Sequence, residues 1–236
     1  MQNRRTMDFS NKLIHGRLIK RYKRFLADVK LDSGEIITAH CTNSGSMKSC
    51  LENDAEVYLS PVDDPNRKTK FTWEMIKING DWVGINTGNP NKLAFEAVKN
   101  GEIEKLKGYT EVQREVTFGD SRFDIMAKNK NETCFIEVKN VTLKEGGYAL
   151  FPDAVTSRGK KHLETLIKVK EKGMRAVMLY IIQRMDVTIF APAKEIDPEY
   201  SNALKNAWEK GVEIIPVQAK VSPEKIELIK ELPFEL

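Results

Sequence analysis

The hydrophobic pattern of the chain changes its period near Asn89, and this change limits the fold more than any other feature of the sequence. Before Asn89, short segments alternate apolar and polar residues, as β-strands do. After it, stretches with helical spacing separate the strand-like segments. We therefore predict an α+β protein with an all-β domain at residues 1–82 and an α/β domain at residues 83–236.

The first domain is predicted to be a small closed β-barrel. Asn79-Gly80 is typical of a type I′ hairpin turn, and Asp32-Ser33-Gly34 marks another turn. In the first strand segment Phe25 alternates with polar residues, and we expect it in the core. An OB-like barrel is one closed arrangement that several short strands of this kind can form. The predicted strand segments are Leu18–Leu31, Glu35–His40, Glu56–Pro61, Phe71–Ile78 and Trp82–Asn86.

The second domain is predicted to be an α/β sandwich around a mixed sheet, in the order α-β-β-β-α-β-α-β. Glycines follow the predicted helices, and the apolar run 176–183 reads as a buried central strand. The predicted elements are a helix at Lys92–Lys99, antiparallel strands at Thr110–Phe118, Arg122–Lys128 and Thr133–Val141, a helix at Ser157–Lys172, a strand at Ala176–Gln183, a helix at Pro198–Lys210 and a strand at Val212–Val217.

Composition excludes several classes of protein. With 41% hydrophobic and 31% charged residues, the chain is neither disordered nor collagen-like. Its longest apolar run, Ala176–Ile182, is far shorter than the roughly 20 residues that cross a bilayer, so no membrane partner is expected. No apolar segment follows the N-terminal arginines, which argues against a secretory signal. Three cysteines without paired spacing indicate reduced thiols and a cytoplasmic location.

Positive charge is concentrated at the start of the chain. Residues 1–30 carry nine basic and two acidic side chains, an excess of +7. Such an excess suggests a polyanionic partner, with DNA as the obvious candidate. A solvent-exposed strand rich in lysine and arginine, with no such partner, would show the same excess of charge. We expect Arg21, Lys23 and Arg24 to contact the phosphate backbone.

A second basic segment opens the predicted helix at Ser157. Arg158, Lys161 and His162 lie near its N-terminus, where backbone N–H groups also favour anions. We expect a second phosphate contact there; a solubilising helix face is the alternative.

The hairpin formed by Arg122–Lys128 and Thr133–Val141 carries the predicted chemistry. A four-residue loop at 129–132 would set Lys128 opposite Thr133 and therefore Asp124 opposite Glu137. Lys139 would share the face of Glu137, while Phe123 and Ile125 would pack on the other face. The hairpin is thus expected to bring two carboxylates and an ammonium group together.

Two adjacent carboxylates repel unless a cation lies between them, and oxygen ligands favour Mg²⁺ or Mn²⁺. Such an ion would polarise a phosphate and activate water, and Lys139 would assist the water. Glu96 is a candidate further metal ligand, and Gln183 is a candidate to orient the water or a substrate oxygen. A cross-strand salt bridge on a solvated face is the alternative interpretation.

Four long stretches resemble the bacterial and archaeal sugar fermentation stimulation protein A family. The resemblance implies an N-terminal OB-fold joined to a restriction-endonuclease-like domain similar to the PD-(D/E)xK nucleases. In that comparison Asp124, Glu137 and Lys139 occupy the signature positions, although Phe123 stands where the namesake motif has proline. The stretches are Arg21–Val29, Ala39–Met47, Glu137–Leu143 and Phe151–Leu163.

The resemblance also implies function. The family is described as binding DNA without sequence preference and as a regulator of maltose metabolism. Our leading hypothesis is a DNA-binding protein that retains a metal-dependent phosphodiesterase site, and the alternative is a non-catalytic regulator that keeps the nuclease fold. A single-strand binder that stacks bases on Tyr22, Phe25 or Trp73 is a third hypothesis. The sequence leaves a homodimer open and predicts that residues 1–6 extend beyond the usual family start at Met7.

Overall fold

The computed structural model describes residues 6–236, so the predicted contribution of Arg4 and Arg5 lies outside the described residues. The barrel is built from strands that precede Asn89, as the alternating pattern predicts. Within the described part of the first half, the strands are β1 (Thr6–Asp8), β2 (Ile14–Tyr22), β3 (Leu26–Leu31), β4 (Ile36–His40), β5 (Glu56–Pro61), β6 (Phe71–Ile78) and β7 (Asp81–Gly84).

Strands β2 to β6 close into a barrel, which confirms the predicted OB-like architecture. The strand order is β4-β3-β2-β5-β6-β7, and a parallel contact between His40 and Thr72 joins β4 to β6. The inward side chains alternate along each strand and fill the barrel with Val29, Leu59 and Trp73, all with no exposed surface. Trp73 therefore cannot stack on a base.

The segment Leu18–Leu31 is two strands rather than one. A three-residue loop, Lys23-Arg24-Phe25, separates β2 from β3, and Lys23 and Arg24 have φ angles of 50° and 66°. Sequence did not indicate this turn because it contains no glycine or asparagine. The expectation that Phe25 is in the core is wrong, since the loop lifts it out of the barrel with 51% of its surface exposed.

The second half contains the predicted helices and strands and several short strands besides. Within the described residues its elements are α1 (Asn89–Lys99), β8 (Glu111–Phe118), β9 (Ser121–Lys128), β10 (Thr133–Val141), β11 (Leu143–Glu145), β12 (Tyr148–Phe151), α2 (Ser157–Glu171), β13 (Arg175–Ile182), β14 (Ile189–Pro192), α3 (Pro198–Glu209), β15 (Glu213–Val221) and β16 (Lys225–Glu231).

A mixed sheet of seven strands forms the centre of this half. Its order is β1-β16-β15-β13-β10-β9-β8, with β13 parallel to both of its neighbours. Side chains of β13 point alternately to two cores: Val177 and Leu179 pack on the α1 side, and Met178 and Tyr180 pack on the side of α2 and α3. The continuous apolar run thus reflects burial on both faces, as predicted.

Pairing with distant partners creates the elements that were not predicted. Strand β1 pairs with β16 at the edge of the seven-stranded sheet, and β11, β12 and β14 form a separate three-stranded sheet. The division at residues 82 and 83 remains a prediction, although β1 lies in the sheet of the second half.

A buried arginine ties the barrel to the second half. Arg184 is 1% exposed and makes two hydrogen bonds to Asp186, of 2.7 and 2.9 Å. Its Nη1 also donates to the carbonyl of Thr142 at 2.6 Å and to the hydroxyl of Ser49 at 3.1 Å. Ser49 belongs to the β4–β5 connection, so the contact holds that connection against the sheet.

Within residues 6–236, none of the helices has the length and apolar character that crossing a bilayer requires.

The three cysteines are free and buried. Burial raises the pKa of Cys50 and of Cys134 to about 12, and it also raises the pKa of Cys41. An ordinary thiol has a pKa of about 8.5, and the thiolate is the reactive form.

We therefore predict that native protein reacts with a thiol reagent such as DTNB at pH 8 at least ~100-fold more slowly than unfolded protein. In denaturant all three thiols should react at once. Rapid reaction of any one of them in the native protein would contradict the burial described here.

Candidate functional site

The register of the β9–β10 hairpin is the one predicted from loop length. Lys128 pairs with Thr133, and the ladder continues to Ile125 opposite Ile136. Beyond that pair Asp124 turns its side chain toward β10, and its Oδ2 accepts a hydrogen bond of 2.8 Å from the backbone N–H of Val138. The carboxylate of Asp124 thus takes the place of a backbone carbonyl in the β9–β10 ladder. This hydrogen bond places Asp124 beside Glu137.

One expectation about the faces of β9 is wrong. Ile125, Ile136 and Val138 do pack together on the α1 side of the sheet. Phe123 instead packs on the opposite side, against helix α2. Phe123 and Ile125 are thus both buried, but in different cores.

Glu137 is the most enclosed group of the site, with 2% of its surface exposed. Its Oε1 accepts a 2.6 Å hydrogen bond from Nζ of Lys139 and another from Nδ1 of His162. Its Oε2 is buried and has no partner within the described residues. One carboxylate oxygen is therefore held by two donors while the other remains available to a ligand.

The two carboxyl groups have opposite electrostatic surroundings. Burial raises the pKa of Asp124 to about 6, and the neighbouring charge of Glu137 adds to the effect. Burial also acts to raise the pKa of Glu137, but hydrogen bonds from His162 and Lys139 outweigh it and hold that pKa below its ordinary value. Negative charge is therefore concentrated at Glu137, and the neighbouring carboxyl of Asp124 has a raised pKa.

Helix α1 supplies a further contact to Asp124. Nδ2 of Asn91 donates to Oδ1 of Asp124 at 2.8 Å. Because Val138 holds the other oxygen, the carboxylate is fixed on both sides. Each oxygen still keeps a lone pair for another ligand.

These groups line a cavity of about 480 Å³ that lies between the two halves of the chain. The sheet contributes Asp124, Glu137 and Lys139, and the barrel contributes Arg24 and Asn43. The segment that leads into α2 closes a third side. The site is thus a cleft with walls from both halves of the chain.

The donor set fits a hard divalent cation. Mg²⁺ is commonly bound through one or two carboxylates, with water and phosphate completing its coordination. Asp124 and Glu137 supply two such groups, and the unpartnered oxygen of Glu137 is a buried acceptor that needs a positive partner. No cluster of three or more Asp, Glu, His or Cys side chains able to hold a metal is found in residues 6–236.

Two of the predicted site residues lie elsewhere. Glu96 is exposed on α1, pairs with Arg114 at 3.5 Å and does not line the cavity. Gln183 is fully buried against Gly84 of the barrel, with its amide donating to Asn140 at 2.9 Å. Neither lines the cavity, because Glu96 is paired toward β8 and Gln183 is packed against the barrel.

The predicted basic residues of the barrel differ in their availability. Arg21 donates to the backbone carbonyls of Arg24 at 3.0 Å, Asn43 at 2.8 Å and Gly45 at 3.0 Å, so it holds the loops together. Arg24 lines the cavity, and its guanidinium has no ion pair or hydrogen bond within the part of the chain that the structure describes. Lys23 is exposed beside it.

The predicted basic residues of α2 also differ in their exposure and in their partners. Arg158 is exposed and lines the cavity. Lys161 pairs with Asp120 at 3.0 Å. His162 is 4% exposed and bonded to Glu137, so it is not placed to contact a phosphate at the surface as expected. Through this hydrogen bond, His162 instead helps to position the carboxylate of Glu137.

Two residues of the site were missed by sequence reasoning. Asn91 reaches Asp124 from another element, and no local pattern marks it. Asp153 lies against Gly45 so closely that a side chain at Gly45 would collide with its carboxylate. The Ser44-Gly45-Ser46 run was a signal for such a close approach, since glycine permits it.

Family models match both halves of the chain. One, described as the SfsA N-terminal OB domain, matches residues 19–85, and another, described as the sugar fermentation stimulation protein RE domain, matches residues 88–225. Together they cover most of the barrel and most of the mixed sheet, in agreement with the predicted fold class.

Relatives match over nearly the whole length. A sugar fermentation stimulation protein homolog of Geotalea uraniireducens is 51% identical over 93% of this chain and 95% of its own, and one of Geobacter sulfurreducens is 49% identical over 94% and 95%. The solved structure of Pyrococcus furiosus SfsA in complex with Ca²⁺ is 28% identical, covers 98% of both chains and superposes with a TM-score of 0.88. The chain therefore belongs to the sugar fermentation stimulation protein family.

Proposed function

We propose that this protein is a divalent-metal-dependent phosphodiesterase that acts on DNA. The observation that carries the proposal is the convergence of Asp124, Glu137 and Lys139 in one recessed cavity, with Oε2 of Glu137 buried and without a partner. Ca²⁺ in the Pyrococcus furiosus relative supports a divalent cation here, and we propose Mg²⁺ or Mn²⁺.

Asp124 and Glu137 would hold the ion. When bound, it would polarise a phosphate oxygen and lower the pKa of a water molecule. Lys139 and His162 fix Oε1 of Glu137, so that Oε2 is directed toward the ligand. Asn91 and the amide of Val138 fix Asp124 in the same way.

Lys139 has a second role in this proposal. Its ammonium group lies beside the carboxylates with 17% of its side chain exposed, so it faces the cavity while remaining largely shielded from water. A cation at such a place stabilises negative charge that develops on a phosphate during reaction. Lys139 also offsets the repulsion between the two acids.

Arg24 and Arg158 supply the proposed grip on the DNA backbone. They lie on different walls of the same cavity. Neither forms a salt bridge within residues 6–236, and each is exposed. Arg21 would act indirectly, because its guanidinium donates a hydrogen bond to the backbone carbonyl of Arg24 and so holds the loop that carries Arg24.

A cytoplasmic location belongs to the same proposal and is supported by the three free cysteines. A homodimer remains a prediction.

Cleavage is tested with supercoiled plasmid and with single-stranded circular DNA, each in Mn²⁺ or Mg²⁺. We predict nicking by the unaltered protein and at least a ~100-fold lower rate for Asp124→Asn and for Lys139→Met, because each removes a charge from the reacting centre. Asp120→Asn is the matched control, since that carboxylate is exposed and pairs with Lys161 outside the cavity.

Absence of cleavage by the unaltered protein with every metal and DNA form tried would overturn the enzymatic proposal. It would favour instead the non-catalytic DNA-binding regulator.

Binding to DNA is tested by its salt dependence. The logarithm of the binding constant should fall steeply with the logarithm of the salt concentration, by about 0.7–0.9 for each phosphate contact. Arg24→Ala and Arg158→Ala should each reduce this slope by about one contact. Lys205→Ala, on the exposed face of α3 away from the cavity, should leave the slope unchanged. A flat response in the unaltered protein would contradict the backbone grip.

A further inference from the structure

The cavity that holds the carboxylates is closed on the side opposite them by the barrel. Arg24 comes from the β2–β3 loop, and Thr42 to Gly45 come from the connection after β4. A third wall is formed by the segment Phe151–Arg158. Ligand-binding clefts commonly have volumes of about 300–1,000 Å³, and the cavity of about 480 Å³ lies in that range, with room for a nucleotide.

The barrel wall is fixed in place. Three hydrogen bonds from Arg21 join the β2–β3 loop to the connection after β4. That connection is held in turn to the second half, because Asp153 packs against Gly45 and accepts a 3.3 Å hydrogen bond from the amide of Met47. The cavity therefore does not widen by movement of a single loose loop.

Two exposed apolar side chains belong to segments that line this cavity. Val155 lines the cavity and is 76% exposed, and Phe25, which is 51% exposed, directly follows the cavity-lining Arg24 in the β2–β3 loop. Isolated exposed apolar residues are common. Phe25, however, belongs to the loop that brings an arginine to the cavity, and an exposed aromatic ring near cationic groups is the arrangement on which unpaired bases stack.

We infer that the cavity takes a single strand of DNA with unstacked bases rather than an intact duplex. In this arrangement Arg24 and Arg158 contact phosphates on either side of the carboxylates, and Phe25 stacks on a base at the rim. The barrel and the segment Phe151–Arg158 form walls beside the carboxylates, which favours one strand over a duplex whose second strand would have to fit between the same walls. The inference rests on the proposed function, since it concerns the substrate of the same cavity.

Strand preference is tested by fluorescence anisotropy in Ca²⁺, with a labelled single strand of about 15 nucleotides and the duplex of the same sequence. We expect the single strand to bind at least about tenfold more tightly. Phe25→Leu should weaken single-strand binding about five- to tenfold and change duplex binding less than about twofold, because it removes only the stacking surface. Trp208→Leu is the matched control, since Trp208 is 48% exposed on α3.

Equal or tighter binding of the duplex would overturn the inference, as would unchanged single-strand binding by a folded Phe25→Leu protein. The result is separable from the cleavage assay. Single-strand preference without cleavage would support the inference and count against the proposed enzyme. Cleavage of duplex and single strand at equal rates would overturn the inference and leave the phosphodiesterase proposal intact.

Discussion

The pair of hydrogen bonds that Lys139 and His162 make to one oxygen of Glu137 determines the rest of the site. A buried carboxylate without donors would take up a proton, but these two groups keep its pKa low. The charge is then confined to a group whose second oxygen has no partner within residues 6–236. Asp124 beside it has a raised pKa, so the two acids together favour a divalent cation.

The barrel completes this site rather than standing apart from it. Arg184 binds Ser49 of the barrel and Thr142 of the sheet, and Asp153 fills the space that Gly45 leaves open. These contacts set Arg24 across the cavity from the carboxylates. The OB-like half therefore forms one wall of the cavity that holds the carboxylates.

Sequence predicted the parts of the molecule that local rules determine. The four-residue loop at 129–132 fixed the β9–β10 register, and the alternating pattern before Asn89 predicted a barrel of short strands. The exposure of Phe25 was not predictable, because the turn that carries it contains no glycine or asparagine. The burial of His162 behind Glu137 was not predictable, because it depends on a contact between distant elements. The same holds for Glu96 and Gln183, which have suitable chemistry but are directed away from the cavity by the packing of α1 and β13.

The most direct test of the account is a titration of the protein with Mn²⁺, followed by electron paramagnetic resonance or calorimetry. The account predicts that the unaltered protein binds an ion at this site, that Glu137→Gln and Asp124→Asn lose it while remaining folded by circular dichroism, and that Glu96→Gln retains it. Failure of the unaltered protein to bind, or undiminished binding by folded Glu137→Gln, would contradict the central claim.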